Sequence, residues 1–207
     1  TTTVNEGAAK QALAAYGMDV PKGRAGLRPP DVADSAEQVG FPVVLKGEGV
    51  AHKTEVCAVR LNLSDALQVE TAAQEMPAET FLVEEMITGT VAELLLGVVA
   101  DPANGFVLTL AAGGTLPEML EDGQSLLLPT TEAEVHHALG QLRVNRLLTG
   151  FRGGEPANME AIVDTVLKLQ DFVRDYADEI AEIEINPLIC TRDRAIIADT
   201  LLVKGTS

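Results

Sequence analysis

Ala181-Glu-Ile-Glu-Ile-Asn-Pro187 and Ala195-Ile-Ile-Ala-Asp-Thr200 read as two extended segments that return on each other. Side chains of an extended chain alternate between faces, so Glu182, Glu184 and Asn186 share one side and Ile183 and Ile185 the other. Arg192 and Asp193 can form the middle of a tight return, aspartate being a favoured turn residue. If the hairpin closes about them, residues whose numbers sum to 385 stand opposite each other, and Asn186 faces Asp199. Oxygens of Glu184, Asn186 and Asp199 would then converge. A hard cation such as Mg²⁺ prefers an oxygen-only site of this kind, commonly completed by phosphates. An edge hairpin with a solvated polar face is the alternative.

The chain has 207 residues, enough for one sizeable domain or two small lobes. Aromatics make up only 3%, so aliphatic residues must build the core. No run approaches the roughly 20 apolar residues of a membrane span. The amino-terminal Thr1-Thr-Thr-Val-Asn-Glu-Gly7 lacks the basic and apolar regions of a signal peptide. Cys57 and Cys190 have neither metal-type spacing nor a disulfide pattern. A reduced, cytoplasmic setting without membrane contact is the expectation.

A net charge of −16 argues against nucleic-acid binding, which depends on neutralising phosphates. Residues 1–60 hold seven basic and seven acidic side chains, whereas 61–207 hold eight and 24. The first part suits an anionic ligand, and the second suits a metal ion.

Helices are predicted for Asn5 to Tyr16, stopped by Gly17, and for Asp31 to Val39, ended by Gly40. A buried strand, Phe41 to Lys46, and a loop, Gly47 to Glu55, follow. Ala58 to Leu63 alternates like a strand, and Ser64 is placed as cap of a helix running to Met76. Thr80 to Met86 and Val91 to Ala100 read as strands joined by a turn around Gly89. Phe106 to Ala111 is another strand, followed by a Gly113-Gly114 loop and a further loop around Asp122-Gly123. Thr131 and Glu134 fit a capping box opening a helix to about Leu142. Met159 to Tyr176 has helical apolar spacing. Without regular βαβ alternation the pattern is α+β or mixed α/β.

Seven stretches are similar, in order, to the nucleotide-binding part of NDP-forming acyl-CoA synthetases. They are Gly40-Phe-Pro-Val-Val-Leu-Lys46, Ala51-His-Lys-Thr-Glu-Val56, Leu82-Val-Glu-Glu-Met86 and Val91-Ala-Glu-Leu-Leu-Leu-Gly97. Ala112-Gly-Gly-Thr115, Leu148-Thr-Gly-Phe-Arg-Gly153 and Glu182 to Pro187 with Asp199 complete the set. The resemblance implies an ATP-grasp fold with two lobes and a nucleotide cleft between them. Residues 18–83 would form a lid lobe with the His52 loop, and 84–207 a lobe with the hinge and the metal-binding hairpin. It implies an acid–thiol ligase using ATP/ADP and Mg²⁺.

The resemblance also assigns residues. Lys46 would contact nucleotide phosphates, as a point charge on a buried strand end. His52 would be a transient phosphohistidine, with Lys53 beside it to hold the phosphoryl group. Glu84, Glu85 and Met86 resemble the hinge that meets adenine and ribose, and Glu93 an acidic group facing the phosphate lysine. Gly113 and Gly114 would bring amides close to phosphate, although a plain tight turn reads equally well. Asn186 and Asp199 match magnesium ligands, with Glu184 beside them.

The chain departs from the family at Cys57-Ala58, where two glycines are usual. It departs again at Leu126-Leu-Leu128, where an arginine is common, and at Asn158, where an aspartate is usual. No dinucleotide-type glycine fingerprint occurs, so the family's CoA-binding and CoA-ligase domains would be partners in another subunit or another part of the polypeptide. A non-catalytic ligand-sensing domain, of the kind fused to protein acetyltransferases, is the alternative.

Overall fold

The computed structural model describes residues 1–49, 58–114 and 122–205. They form two compact units, residues 21–87 and residues 1–20 with 88–207. The division suggested by the sequence, 18–83 and 84–207, is therefore displaced. Glu84, Glu85 and Met86 belong to the smaller unit, and the first 20 residues to the larger.

The larger unit opens with β1 (Thr2–Val4) and α1 (Glu6–Ala15) before the chain enters the smaller unit. There it forms β2 (Gly23–Leu27), α2 (Val32–Val39), β3 (Val43–Gly47), β4 (Val59–Leu63), α3 (Ala66–Glu75) and β5 (Phe81–Glu85). The sheet is antiparallel, in the order β2-β5-β3-β4. Alternation sends Val43, Leu45, Phe81 and Val83 into a core closed by Val32 and Ala36 of α2 and by Val69 and Ala73 of α3. Asp65, not Ser64, caps α3: its carboxylate accepts the Gln68 N–H at 2.9 Å, while Ser64 hydrogen-bonds the Gln68 side chain. A carboxylate is the stronger acceptor at this position.

The larger unit continues with β6 (Thr90–Asp101), β7 (Gly105–Ala112), β8 (Gly123–Leu128), α4 (Glu132–Gln141), α5 (Asn145–Leu148) and α6 (Met159–Asp175). It ends with β9 (Ile180–Thr191), β10 (Ala195–Ile197) and β11 (Thr200–Lys204). Its antiparallel sheet runs β1-β11-β9-β6-β7-β8, with β10 also on β9. Leu94, Leu96, Leu108, Ile183 and Ile185 point to one face, where Leu13, Leu139, Ile162, Val166 and Leu169 of the helices cover them. Glu93, Glu184 and Asn186 alternate onto the opposite face and stay half-buried.

One expected loop fails here. Asp122-Gly123 leads into strand β8, not onward as a loop, because pairing with β7 overrides a local sequence poor in strand formers. The strands on either side of Gly89 form as read, and β5 and β6 belong to different sheets. Strands β1 and β2 and helix α5 gave no pattern of their own; β2 holds two glycines and forms only by pairing with β5. Among the described residues no helix is long and apolar enough to cross a membrane.

Candidate functional site

The return between β9 and β10 turns on Arg192 and Asp193, with the Thr191 N–H donating to the Arg194 carbonyl at 2.8 Å. The Thr191 hydroxyl also accepts the Asp193 and Arg194 amides. From it Cys190 pairs with Ala195 and Leu188 with Ile197. Past a two-residue break Ile185 pairs with Thr200 and Glu184 with Leu201, all on the constant sum of 385. Asn186 thus stands opposite Asp199, and its N–H donates to the Asp199 carbonyl at 3.1 Å. The Ala198 N–H donates to the Pro187 carbonyl at 3.0 Å, closing the other side.

Asn186 is oriented from the turn that follows β7. Its Oδ1 accepts the Gly114 N–H at 3.1 Å, which leaves one lone pair of the amide oxygen. The Gly113 N–H donates to the Glu93 carbonyl at 2.8 Å. Both glycine amides, read from the sequence as phosphate contacts, are therefore engaged within the protein. A Cβ at Gly113 would stand 2.6 Å from the Leu94 carbonyl carbon and oxygen, and Gly114 has φ +72° with the Glu93 carboxylate against it. Only glycine fits this close approach. Glu184 shares the face of Asn186, yet among the described residues no three His, Cys, Asp or Glu side chains gather into a metal-binding cluster. Asn186 stands opposite Asp199 in the backbone register.

In the smaller unit Lys46 Nζ lies 3.1 Å from Glu84 Oε2, both side chains being buried. Lys46 pairs with Leu82 and Val44 with Glu84, so the two charges meet on a diagonal. Gly23 faces Glu84 on the other side, where a Cβ would come within 2.9 Å of the Glu84 Cγ. The Glu85 N–H donates to the Lys22 carbonyl at 2.8 Å, Glu85 Oε1 accepts the Lys22 N–H at 3.1 Å, and the Met86 N–H donates to the Pro42 carbonyl at 3.1 Å.

The sequence reading passed over Glu48. One of its buried oxygens accepts the Gly26 N–H at 2.6 Å and the other has no partner among the described residues. The available signal was parity, since an extended chain puts Glu48 on the face of Lys46. His52, Lys53 and Cys57 lie outside the described residues. Of the departures, Asn158 caps α6 by accepting the Ala161 N–H at 3.0 Å, a task asparagine and aspartate perform equally well. Leu126 and Leu128 pack against the core of the larger unit.

The Cys190 thiol is pushed up to about 12, first by burial and then by the negative charge of Glu93. At pH 8 the thiolate is negligible, and the thiolate is the reactive form. Iodoacetamide is expected to leave Cys190 unmodified in the native chain and to label it after denaturation, read residue by residue by mass spectrometry. Rapid native labelling would contradict its burial. Gly113→Ala is expected to cost about 1–3 kcal/mol in urea unfolding, because backbone atoms cannot yield to the added methyl. A stability equal to wild type would refute the close approach.

Residues 1–203 match the ATP-grasp domain family. The beta subunit of acetate–CoA ligase (ADP-forming) II of Pyrococcus furiosus is 30% identical, covering 99% of this chain and 93% of that protein. Acetate–CoA ligase (ADP-forming) I of Archaeoglobus fulgidus is also 30% identical over 93% of this chain, but only 30% of its own length is covered. The structure of PH1788 from Pyrococcus horikoshii superimposes with a TM-score of 0.91 at 29% identity, covering 100% of this chain and 93% of that one. A second match is Ca. Korarchaeum cryptofilum acetyl-coenzyme A synthetase 1 with coenzyme A and Mg-AMPPCP, its phosphohistidine segment pointing towards the nucleotide-binding site. Its TM-score is 0.86 at 29% identity, covering 98% and 93% of the two chains.

Proposed function

The chain belongs to the ATP-grasp domain family, and from that premise we propose that it is the nucleotide-binding subunit, or the corresponding part, of an ADP-forming acyl-CoA synthetase. The overall reaction interconverts acyl-CoA, phosphate and ADP with carboxylic acid, CoA and ATP. The observation that carries this reading is the registered pair Asn186 and Asp199, on a fold shared with the Korarchaeum acetyl-coenzyme A synthetase.

The donor set fits Mg²⁺. A carboxylate and an amide oxygen with a lone pair to spare are hard ligands, and Mg²⁺ takes few protein ligands while keeping waters and phosphates. Bound there, the ion supplies charge neutralisation of the nucleotide phosphates. Lys46, held on a buried strand by Glu84, is the smaller unit's cation suited to phosphate. The Glu93 carbonyl holds Gly113, and Gly114 next to it holds the Asn186 amide oxygen; Glu184 lies on the same sheet face as a further carboxylate. With the Glu85 and Met86 amides engaged internally, the hinge meets the adenine edge through its remaining groups.

In the ATP-consuming direction a His52 nitrogen attacks the γ-phosphorus, the bond to the β-phosphate oxygen breaks, and ADP leaves. Lys53 steadies the transferred group. Positioning and charge neutralisation account for most of such catalysis. The CoA-binding and CoA-ligase functions lie in partner domains, in keeping with the 30% of the single-chain relative that this chain covers. A ligand-sensing role is not favoured, since the relatives described above are ligases by name.

Incubation with γ-labelled ATP and Mg²⁺, with the partner domains present, is expected to leave acid-labile label on the chain. His52→Ala is expected to abolish it. Undiminished label in that variant would remove the phosphoryl-carrying role from His52.

A further inference from the structure

Helix α1 buries an ion pair where an aliphatic side chain would serve its packing better. Glu6 and Lys10 are 5% and 4% exposed, and Lys10 Nζ lies 2.9 Å from Glu6 Oε1, one helical turn away. Desolvating such a pair commonly costs as much as its attraction returns, so stability is a weak reason to bury it. Its geometry supplies a better one. Lys10 Nζ donates to the Ala198 carbonyl at 2.7 Å, across 188 residues of sequence.

Ala198 and Asp199 are the two residues that interrupt β10 and β11. Strand pairing holds the Ala198 N–H on Pro187 and the Asp199 carbonyl on Asn186. The Ala198 carbonyl belongs to the peptide group that leads into Asp199, and the lysine holds it. Rotation of that peptide would swing the Asp199 side chain relative to Asn186, and a charge-assisted hydrogen bond opposes the rotation.

We propose that the Glu6–Lys10 pair is a positioning device for the metal site. Lys10 fixes the peptide ahead of Asp199 so that its carboxylate is presented beside Asn186, and Glu6 keeps the ammonium aimed. Lys10 touches neither metal nor substrate. The inference rests on Asp199 being a Mg²⁺ ligand.

The test uses Mn²⁺ with ADP as probe, on the full chain with its partner domains, reading metal affinity by electron paramagnetic resonance and metal-free ADP affinity by calorimetry. Lys10→Met is expected to weaken Mn²⁺ by about 10-fold or more, the usual scale for outer-shell partners of a metal ligand. Metal-free ADP affinity should stay unchanged, and Lys10→Arg should recover part of the loss. If Lys10→Met fails to fold because Glu6 is left unpaired, Glu6→Gln/Lys10→Met, with neither charge, carries the test. Wild-type Mn²⁺ affinity in these variants would overturn the proposal, as would equal loss of metal and metal-free nucleotide binding. Asp199→Ala separates the two levels: if it leaves Mn²⁺ affinity intact, the assignment of Asp199 itself is wrong.

Discussion

Antiparallel pairing of β9 with the two strands after it keeps one register through a two-residue interruption, and the candidate metal site exists because of it. A slip of one residue would send Asn186 into the core and an isoleucine onto the polar face. Buried Ile183, Ile185, Ile196 and Ile197 make such a slip costly, and the Thr191–Arg194 turn fixes where counting begins. The interruption releases Asp199 from regular strand geometry, while the hydrogen bond from Asn186 keeps it in register. Around this pair the remaining contacts are supports: Gly114 on the asparagine oxygen and Lys10 on the peptide before the aspartate.

The smaller unit spends stability in a comparable way. Lys46 and Glu84 occupy adjacent strands of its sheet with almost no exposure. Gly23 gives up a side chain so that Glu84 can lie flat beside it. A buried pair of this kind is poor evidence for stability and better explained by use. An ammonium held at a strand end by a carboxylate is preorganised for an anionic ligand, and a triphosphate offers a stronger partner than the glutamate alone.

Much of this was legible in the sequence because simple periods govern it. Helices α1, α2 and α6 announce themselves by apolar spacing and glycine stops, and the Thr131–Glu134 capping box forms as read. The Asn186–Asp199 pairing followed from counting out of one turn. Strands β2 and β8 stayed hidden because glycine, glutamine and serine carry little strand preference and partner strands decide their state. At the site, the acceptors of the glycine amides could not be foreseen, since Asn186 lies 72 residues beyond Gly114. Glu6 and Lys10 stand one turn apart, a spacing that exposed pairs commonly have, and only their burial separates them from one. Glu48 is hidden for the same reason.

The central claim is that Asn186 and Asp199 jointly present oxygen to Mg²⁺. A crystal structure of the chain with Mg²⁺ and a non-hydrolysable ATP analogue tests it most directly. The account expects the ion bound by Asn186 Oδ1 and an Asp199 carboxylate oxygen, with Gly114 still on the asparagine and phosphate oxygens completing the coordination. Metal-nucleotide density elsewhere, with these two side chains making no contact to the ion, would contradict it.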